Sequence, residues 1–306
     1  MLIESYEENS LSTEDPVLRG RYKIIDLISD NTGFGITYLA EDLDLPNNPK
    51  CVVKQLNRQK LSELGSENSD ELEKIIELFY RESESLYKLG NHPQIPCLFA
   101  RFKENDEYYL VQEYIRGDDL CSEIIPTRLL NERQTIKLLQ EILEVLVFVH
   151  DNNYIHRDLK PANIMRREHD QKIVLIDFGA VKEIVSEINT FINLSKSESC
   201  LPTIIGTPPY APIEQLNTAP KVKFANDIHA VGIIGIEALT GSRDDINNWR
   251  RNSNIEVSND LAIILDRMTH RNYQQRYQNA REALQALKKI EKSMITKFMI
   301  WFFTGK

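Results

Sequence analysis

The chain has 306 residues, and at roughly 150 residues per domain that length holds either two compact units or one large bilobed unit. Hydrophobic residues at 42 % and charged ones at 27 % match ordinary globular usage, which excludes disordered, collagen-like and disulfide-scaffold classes. A formal net charge of -9, from 37 Lys+Arg against 46 Asp+Glu, repels polyanions at long range and makes nucleic acid and anionic membrane poor partners.

Residues 1–18 carry Glu4, Glu7, Glu8, Glu14 and Asp15 before the first basic residue, Arg19. That is the wrong sign for a secretory or transit segment, and the stretch is expected to be a mobile acidic leader. Short strand-like runs follow at Tyr22–Ile28, Ile36–Ala40, Cys51–Leu56, Phe99–Phe102 and Tyr108–Tyr114, separated by Gly, Pro, Asn and Asp. One long helix interrupts them. Leu72, Ile75, Ile76, Phe79, Leu86 and Leu89 recur mostly at three- and four-residue steps, and Glu82 on the flank of that face needs a partner if it is covered.

Beyond Gly117 the pattern turns helical. Asn131 is an expected N-cap, after which Ile136, Leu139, Leu143, Leu146 and His150 follow one stripe. Ala225–Thr240 is apolar almost all round, as in a helix buried through the middle of a domain. Leu261–Met268 and Ala283–Ile290 supply two more amphipathic helices. The fold class read from this order is α+β and bilobed: a strand-rich N-lobe over 19–114 with one long helix, a helical C-lobe over 115–290, and a short apolar tail over 291–306. No hydrophobic run reaches the ~20 residues that span a bilayer, and the aromatic run Phe298–Phe303 is expected to pack on the helical lobe, with docking to a membrane or partner as the competing account. Cys51, Cys97, Cys121 and Cys200 form no C-x-x-C pair, so neither a zinc site nor a disulfide framework is expected, and a cytoplasmic location fits.

Two segments carry the chemistry. His156-Arg157-Asp158-Leu159-Lys160-Pro161-Ala162-Asn163 follows the long C-lobe helix, and the buried run Ile173–Ile176 ends in Asp177-Phe178-Gly179. Asp158, Asn163 and Asp177 offer hard oxygen ligands and a proton acceptor, which is what a divalent cation and phosphoryl transfer require. An isolated His-Arg-Asp means little; the eight-residue string with Asn163 five positions after Asp158, then a strand ending in Asp-Phe-Gly, is specific.

On these motifs the sequence resembles the eukaryotic-like (Hanks-type) serine/threonine protein kinases over about residues 20–290. Gly33-Phe34-Gly35-Ile36-Thr37-Tyr38-Leu39-Ala40 and Leu110-Val111-Gln112-Glu113-Tyr114-Ile115 look most like the bacterial branch. The resemblance implies the bilobed protein kinase fold and Mg2+-dependent transfer of the γ-phosphoryl group of ATP to Ser/Thr hydroxyls of protein substrates, with autophosphorylation; Mn2+ is the alternative ion. It implies that Asp158 accepts the hydroxyl proton, Lys160 steadies the phosphoryl group, Thr207 of Gly206-Thr207-Pro208-Pro209-Tyr210 bonds near them, and Asn163 with Asp177 holds the metal. Lys54 would bind the α/β-phosphates and pair with Glu82. Val52 and Ile28 would contact adenine, Glu113 and Ile115 would offer backbone hydrogen bonds, and Gln112 would be the gatekeeper. Ordinary core packing is the competing account of Val52 and Ile28, and snorkelling to water that of Glu82.

The glycine-rich loop departs from the family. Its G-x-G-x-x-G falls on Asp30-Asn31-Thr32-Gly33-Phe34-Gly35, which keeps the last glycine, Gly35, and has Gly33 at a variable position. Weaker nucleotide binding, or a loop held further from the nucleotide, is expected, because glycines let backbone N–H groups approach phosphates and Asp30 adds a negative charge. The end of the activation segment, Pro212-Ile213-Glu214, keeps Glu214, with Arg276 as the expected ion-pair partner. Asp227 would either brace the catalytic loop or cap its own helix. Thr190, Ser195, Ser197, Ser199 and Thr203 are phosphorylation candidates, and Arg157 would engage such a phosphate. Two readings compete with an active kinase. A pseudokinase scaffold is supported by the eroded loop and opposed by Lys54, Glu82, Asp158, Asn163 and Asp177. A small-molecule phosphotransferase is opposed by Lys160 and the Gly206–Tyr210 segment.

Overall fold

A computed structural model describes residues 16–32, 35–57, 69–125, 127–178, 209–216, 223–242, 248–251 and 255–304. The N-terminal part is a six-stranded antiparallel sheet: β1 (Val17–Leu18), β2 (Tyr22–Thr32), β3 (Gly35–Asp42), β4 (Lys50–Leu56), β5 (Leu98–Glu104) and β6 (Glu107–Glu113), in the order β1-β2-β3-β4-β6-β5. β1 lies within the stretch expected to be a mobile leader, so the sheet begins at Val17. The period of two sorts side chains to opposite faces. Tyr22, Ala40, Cys51, Val53, Phe102, Tyr109 and Val111 form an apolar cluster on one face, while Leu56 and Leu110 join the main core on the other.

Helix α1 (Ser69–Leu89) is the long N-lobe helix, with Phe79, Glu82, Ser83, Leu86 and Leu89 buried. Its C-terminal loop is pinned to the second lobe: Leu175 N–H donates to Gln94 O at 3.0 Å, and Gln94 Nε2 donates to Ile173 O at 2.8 Å. The connection from β6 into β7 (Gly117–Asp119) needs a glycine. Gly117 has φ +148°, and a Cβ there would sit 2.0 Å from Arg166 O.

The second lobe is built on α2 (Glu132–Asp151), α3 (Ile213–Leu216), α4 (Phe224–Thr240), α5 (Asn259–Met268) and α6 (Ala280–Thr304), with β8 (Ile164–Arg167) and β9 (Ile173–Leu175) joining β7 in a small antiparallel sheet. Asn131 caps α2 in a reciprocal box, its side chain accepting from Gln134 N and Gln134 returning the bond to Asn131 N, both at 3.0 Å. Nearly every side chain of α4 from Ala225 to Leu239 is buried. It packs against α2 and α5 closely enough that a Cβ on Gly232 would meet Met268 Cβ at 2.7 Å. α6 continues without a break past the expected boundary at residue 290, so the backbone of 291–304 extends that helix. No helix among the described residues is long and apolar enough to cross a membrane.

Candidate active site

On β4, Val52 and Lys54 share one face of the strand. Lys54 Nζ lies 2.6 Å from Glu82 Oε1 of α1 and 3.0 Å from Asp177 Oδ1. Glu82 is 3 % exposed, so it does not snorkel to water; Lys54 is the cation that its burial requires. Burial works against the Lys54 charge, but the carboxylates of Asp177 and Glu82 together hold its pKa above the ordinary lysine value. Burial, reinforced by the nearby Asp177 charge, raises the Glu82 pKa despite Lys54.

A second group gathers around Asp158, which is 7 % exposed. Asn163 Nδ2 donates to Asp158 O at 2.8 Å and to Asp158 Oδ2 at 2.7 Å, and Lys160 Nζ stands 3.2 Å from the same carboxylate oxygen. With its amide nitrogen committed to Asp158, Asn163 has its amide oxygen to offer elsewhere. The two groups meet through the backbone, because Ile176 N–H donates to Asn163 O at 3.0 Å, just before Asp177. Asp177 itself has φ +61°, a left-handed turn that a non-glycine residue adopts at some cost and that redirects the chain after β9.

A buried network holds this floor. Asp227 of α4 accepts from His156 N at 2.9 Å, Arg157 N at 3.0 Å and His150 Nε2 at 3.0 Å. Ala280 N–H donates to His150 Nδ1 at 3.1 Å, which makes Nε2 the ring donor to Asp227. Burial alone would raise the Asp227 pKa, but the hydrogen bond and charge of His150 together with the His156 contacts keep it below the usual carboxylate range. Asp227 therefore braces the backbone that leads into Asp158. The N-cap of its helix is Lys223, which makes no side-chain cap bond. His156 Nε2 donates to Ile176 O at 3.1 Å and its ring lies 4.6 Å from that of Phe178, while burial lowers its pKa. His150 and His156 tie together α2, α4, the start of α6, the His156–Asp158 stretch and the Ile176–Phe178 stretch, a role that periodicity misses because it assigns His150 only to an apolar stripe.

Farther down, Arg276 meets Glu214 as expected, with Nη1 to Oε1 at 2.6 Å and Nη2 to Oε2 at 3.2 Å, and also donates to His270 O at 2.6 Å. Beside this pair, His229 Nδ1 donates to Tyr210 O at 3.1 Å. Burial, helped by the Arg276 charge, pushes the His229 pKa down to about 4.

The remaining expected positions line the sheet side. Val52 is half-buried on the Lys54 face and Ile28 of β2 is half exposed. Glu113 N donates to Cys97 O at 2.9 Å, and its carboxylate accepts from Cys97 N at 3.2 Å. Ile115, between β6 and β7, is buried, and its backbone groups meet no partner among the described residues. Gly35 opens β3, paired with Thr32 and Leu56. Gly33, Thr207, Gly179 and the phosphorylation candidates from Thr190 to Thr203 lie outside the described residues.

A strand-rich lobe joined to a helical one, with lysine, glutamate and aspartate meeting at the joint, is the bilobed arrangement that the motifs imply. A family profile described as "Protein kinase domain" matches residues 34–299, and the chain belongs to that family. It is 37 % identical over 279 residues to serine/threonine-protein kinase B of Synechocystis, covering 88 % of this chain and 46 % of that protein. It is 36 % identical over 284 residues to serine/threonine-protein kinase PknA of Nostoc, covering 89 % and 48 %. The chain thus spans about half the length of these curated relatives. Among solved structures, the apo form of PpkA-294 superposes with a TM-score of 0.68 at 21 % identity, covering 90 % of this chain and all of that one, which shows the shared fold.

Proposed function

We propose that the chain is an active serine/threonine protein kinase that transfers the γ-phosphoryl group of ATP to Ser/Thr hydroxyls of protein substrates. The observation that carries this reading is the formed Lys54–Glu82–Asp177 set beside the Asp158–Lys160–Asn163 set. Protein kinases use ATP and a divalent ion, and the donor set fits the latter: the Asp177 carboxylate and the Asn163 amide oxygen are the hard oxygens that Mg2+ or Mn2+ prefers. Asp177 and Asn163 would hold the ion, which when bound neutralises phosphate charge. Lys54, kept protonated by two carboxylates, is suited to the α/β-phosphates. Asp158, held by Asn163 Nδ2, offers a carboxylate to the proton of a substrate hydroxyl, and Lys160 puts a positive charge next to the transferring group. Val52 and Ile28 offer apolar surface to the base, and Glu113 and Ile115 backbone groups. Gly33 and Gly35 would flank the phosphates and Thr207 would approach Asp158. The catalytic unit in this reading is 19–290 and the location cytoplasmic, in keeping with the free thiols of Cys51, Cys97 and Cys121.

The test incubates wild type and Asp158→Asn with labelled ATP and Mg2+, offering generic protein substrates and, in parallel, aminoglycosides and choline. Label in protein with wild type only is the expected result. Retained ATP binding with no label in any acceptor would replace the reading with a scaffold, and label only in the small molecules would replace it with a small-molecule phosphotransferase.

A further inference from the structure

The charge of -9 is not spread evenly along the chain. Lys288, Lys289, Lys292 and Lys297 stand close together against a single carboxylate, Glu291, and the aromatic run 298–303 follows directly. All of this lies on α6, which is unbroken from Ala280 to Thr304. Its register against α2 fixes where it leaves the lobe. The two helices run antiparallel: Arg281 pairs with Asp151, Lys288 Nζ with Glu144 Oε1 at 2.8 Å, and Gln140 Nε2 donates to Glu291 Oε2 at 3.0 Å. Both rise by the same amount per residue, so Glu132, where α2 starts, comes level with about residue 300. The last turn of α6 therefore continues past the end of its neighbour.

The faces of α6 change along the way. Ala280, Ala283, Leu284, Leu287 and Ile290 are buried, while Lys289 and Lys292 are exposed on the opposite side. Carried forward at the helical period, the buried face passes through positions 294, 298 and 301, and the lysine face through 296, 300 and 303. Residues 298–303 are apolar without exception, so both faces end in hydrocarbon, and α2 runs beside only one of them. Six apolar residues are too few to span a bilayer, and no helix among the described residues is long and apolar enough to do so. Lysines followed by an aromatic tip suit a helix end that enters the headgroup layer, where tryptophan is favoured and anionic phosphates attract the cations.

We propose that the end of α6, from Lys288 to Thr304, docks on an anionic phospholipid surface, with 298–303 entering the interface and Lys289, Lys292 and Lys297 meeting lipid phosphates. The total charge disfavours such a surface only at long range; close to it, the local excess of lysine decides. A second copy of the chain would bring the same lysines with it, whereas lipid phosphates neutralise them. Ala280 N–H is bonded to His150 of α2, so attachment through this helix orients the lobe instead of tethering it. The proposal does not depend on the reading of the cleft as an ATP site.

Co-sedimentation of the full chain with vesicles tests it, using phosphatidylcholine alone and phosphatidylcholine mixed equally with phosphatidylglycerol. Wild type is expected to bind the mixed vesicles at least about tenfold more tightly than the neutral ones. Ile300→Ser with Phe303→Ser, on the face away from α2, should abolish binding without lowering Tm. Lys289→Gln with Lys292→Gln changes only exposed positions and should weaken binding to the mixed vesicles on the order of tenfold, a difference that added salt removes. Failure of wild type to bind the mixed vesicles overturns the proposal, as does equal binding to both kinds or wild-type binding by both variants. A dimer in size-exclusion chromatography that the serine pair breaks, with no vesicle binding, would assign the face to a second copy instead.

Discussion

Asp227 and Ile28 belong to the two lobes that flank one cleft, the first 1 % and the second 50 % exposed. Beneath the cleft, position is fixed by side chains: Asp227 accepts three hydrogen bonds at 2.9–3.0 Å, two of them from the backbone at His156 and Arg157, immediately before Asp158. Above it, β2 is held by backbone pairing with β3, and that register shifts between Ile24 and Asp26, Leu27 and Ser29, and Ser29 and Thr32. Leu27 and Ile28 are each about half exposed. Groups proposed to meet the reacting atoms are over-determined by buried polar bonds, whereas the strand proposed to cover the nucleotide is tied loosely. Substitutions below should therefore cost fold and turnover together, and those above should change binding alone.

The largest effect is expected at the floor. Asp227→Ala leaves His150 Nε2 and two backbone N–H groups buried without their acceptor, and each such group costs about 1–3 kcal/mol. Chemical denaturation should show a loss of about 5 kcal/mol. A loss near 1 kcal/mol would mean that the catalytic loop holds its shape without the brace, and the contrast between floor and roof would collapse.

Acid should loosen the same lobe. Below pH 6.5 the unfolded chain takes up a proton at His229, while the folded chain resists until about 4. The unfolded state then binds more protons, so this contribution is fully present above pH 6.5 and is lost as pH falls toward 4. The difference is worth about 3 kcal/mol over that window. Arg276, in the stretch between α5 and α6, and Glu214 of α3 both act on the ring, and the deficit belongs to His229 only if His229→Gln makes the decline in Tm with falling pH shallower. Parallel pH profiles for the two proteins would assign acid lability to other groups.

Much of the site could be read from the sequence because its chemistry is carried by short strings. The spacing of Asp158, Asn163 and Asp177 is such a string, and Glu82 on an apolar stripe demands a cation that the Val-Val-Lys run supplies at Lys54. What periodicity cannot show is what a face meets. Asp227 is 70 residues from Arg157, so brace and N-cap stood equal until the fold brought them together. His150 looked like one more member of a buried stripe. Strand ends failed for a related reason: β2 was expected to stop at Ile28, yet it runs through the polar Ser29-Asp30-Asn31-Thr32 because pairing with β3 outweighs weak local propensity.

The smallest expected effect falls on those polar residues, and it separates two causes of the weaker nucleotide binding expected of this loop. Asp30 is exposed, and Thr32 pairs with Gly35 at the end of the hairpin, in positions where the family carries glycine. Charge and backbone freedom are both altered there. Asp30→Asn removes the charge and frees no backbone, so any gain in ATP affinity it gives should fade as salt is raised, since exposed charges are screened within about 10 Å at 0.1 M. Asp30→Gly with Thr32→Gly adds backbone freedom, which lets N–H groups approach the phosphates but costs ordering entropy on binding. ATP should bind on the order of threefold tighter in Asp30→Asn at low salt, because exposed ion interactions are weak. The double glycine variant should gain somewhat more, with a salt-independent remainder. If both variants match wild type at every salt concentration, the hairpin plays no part in holding the nucleotide, and the weak coupling of the roof extends even to the ligand beneath it.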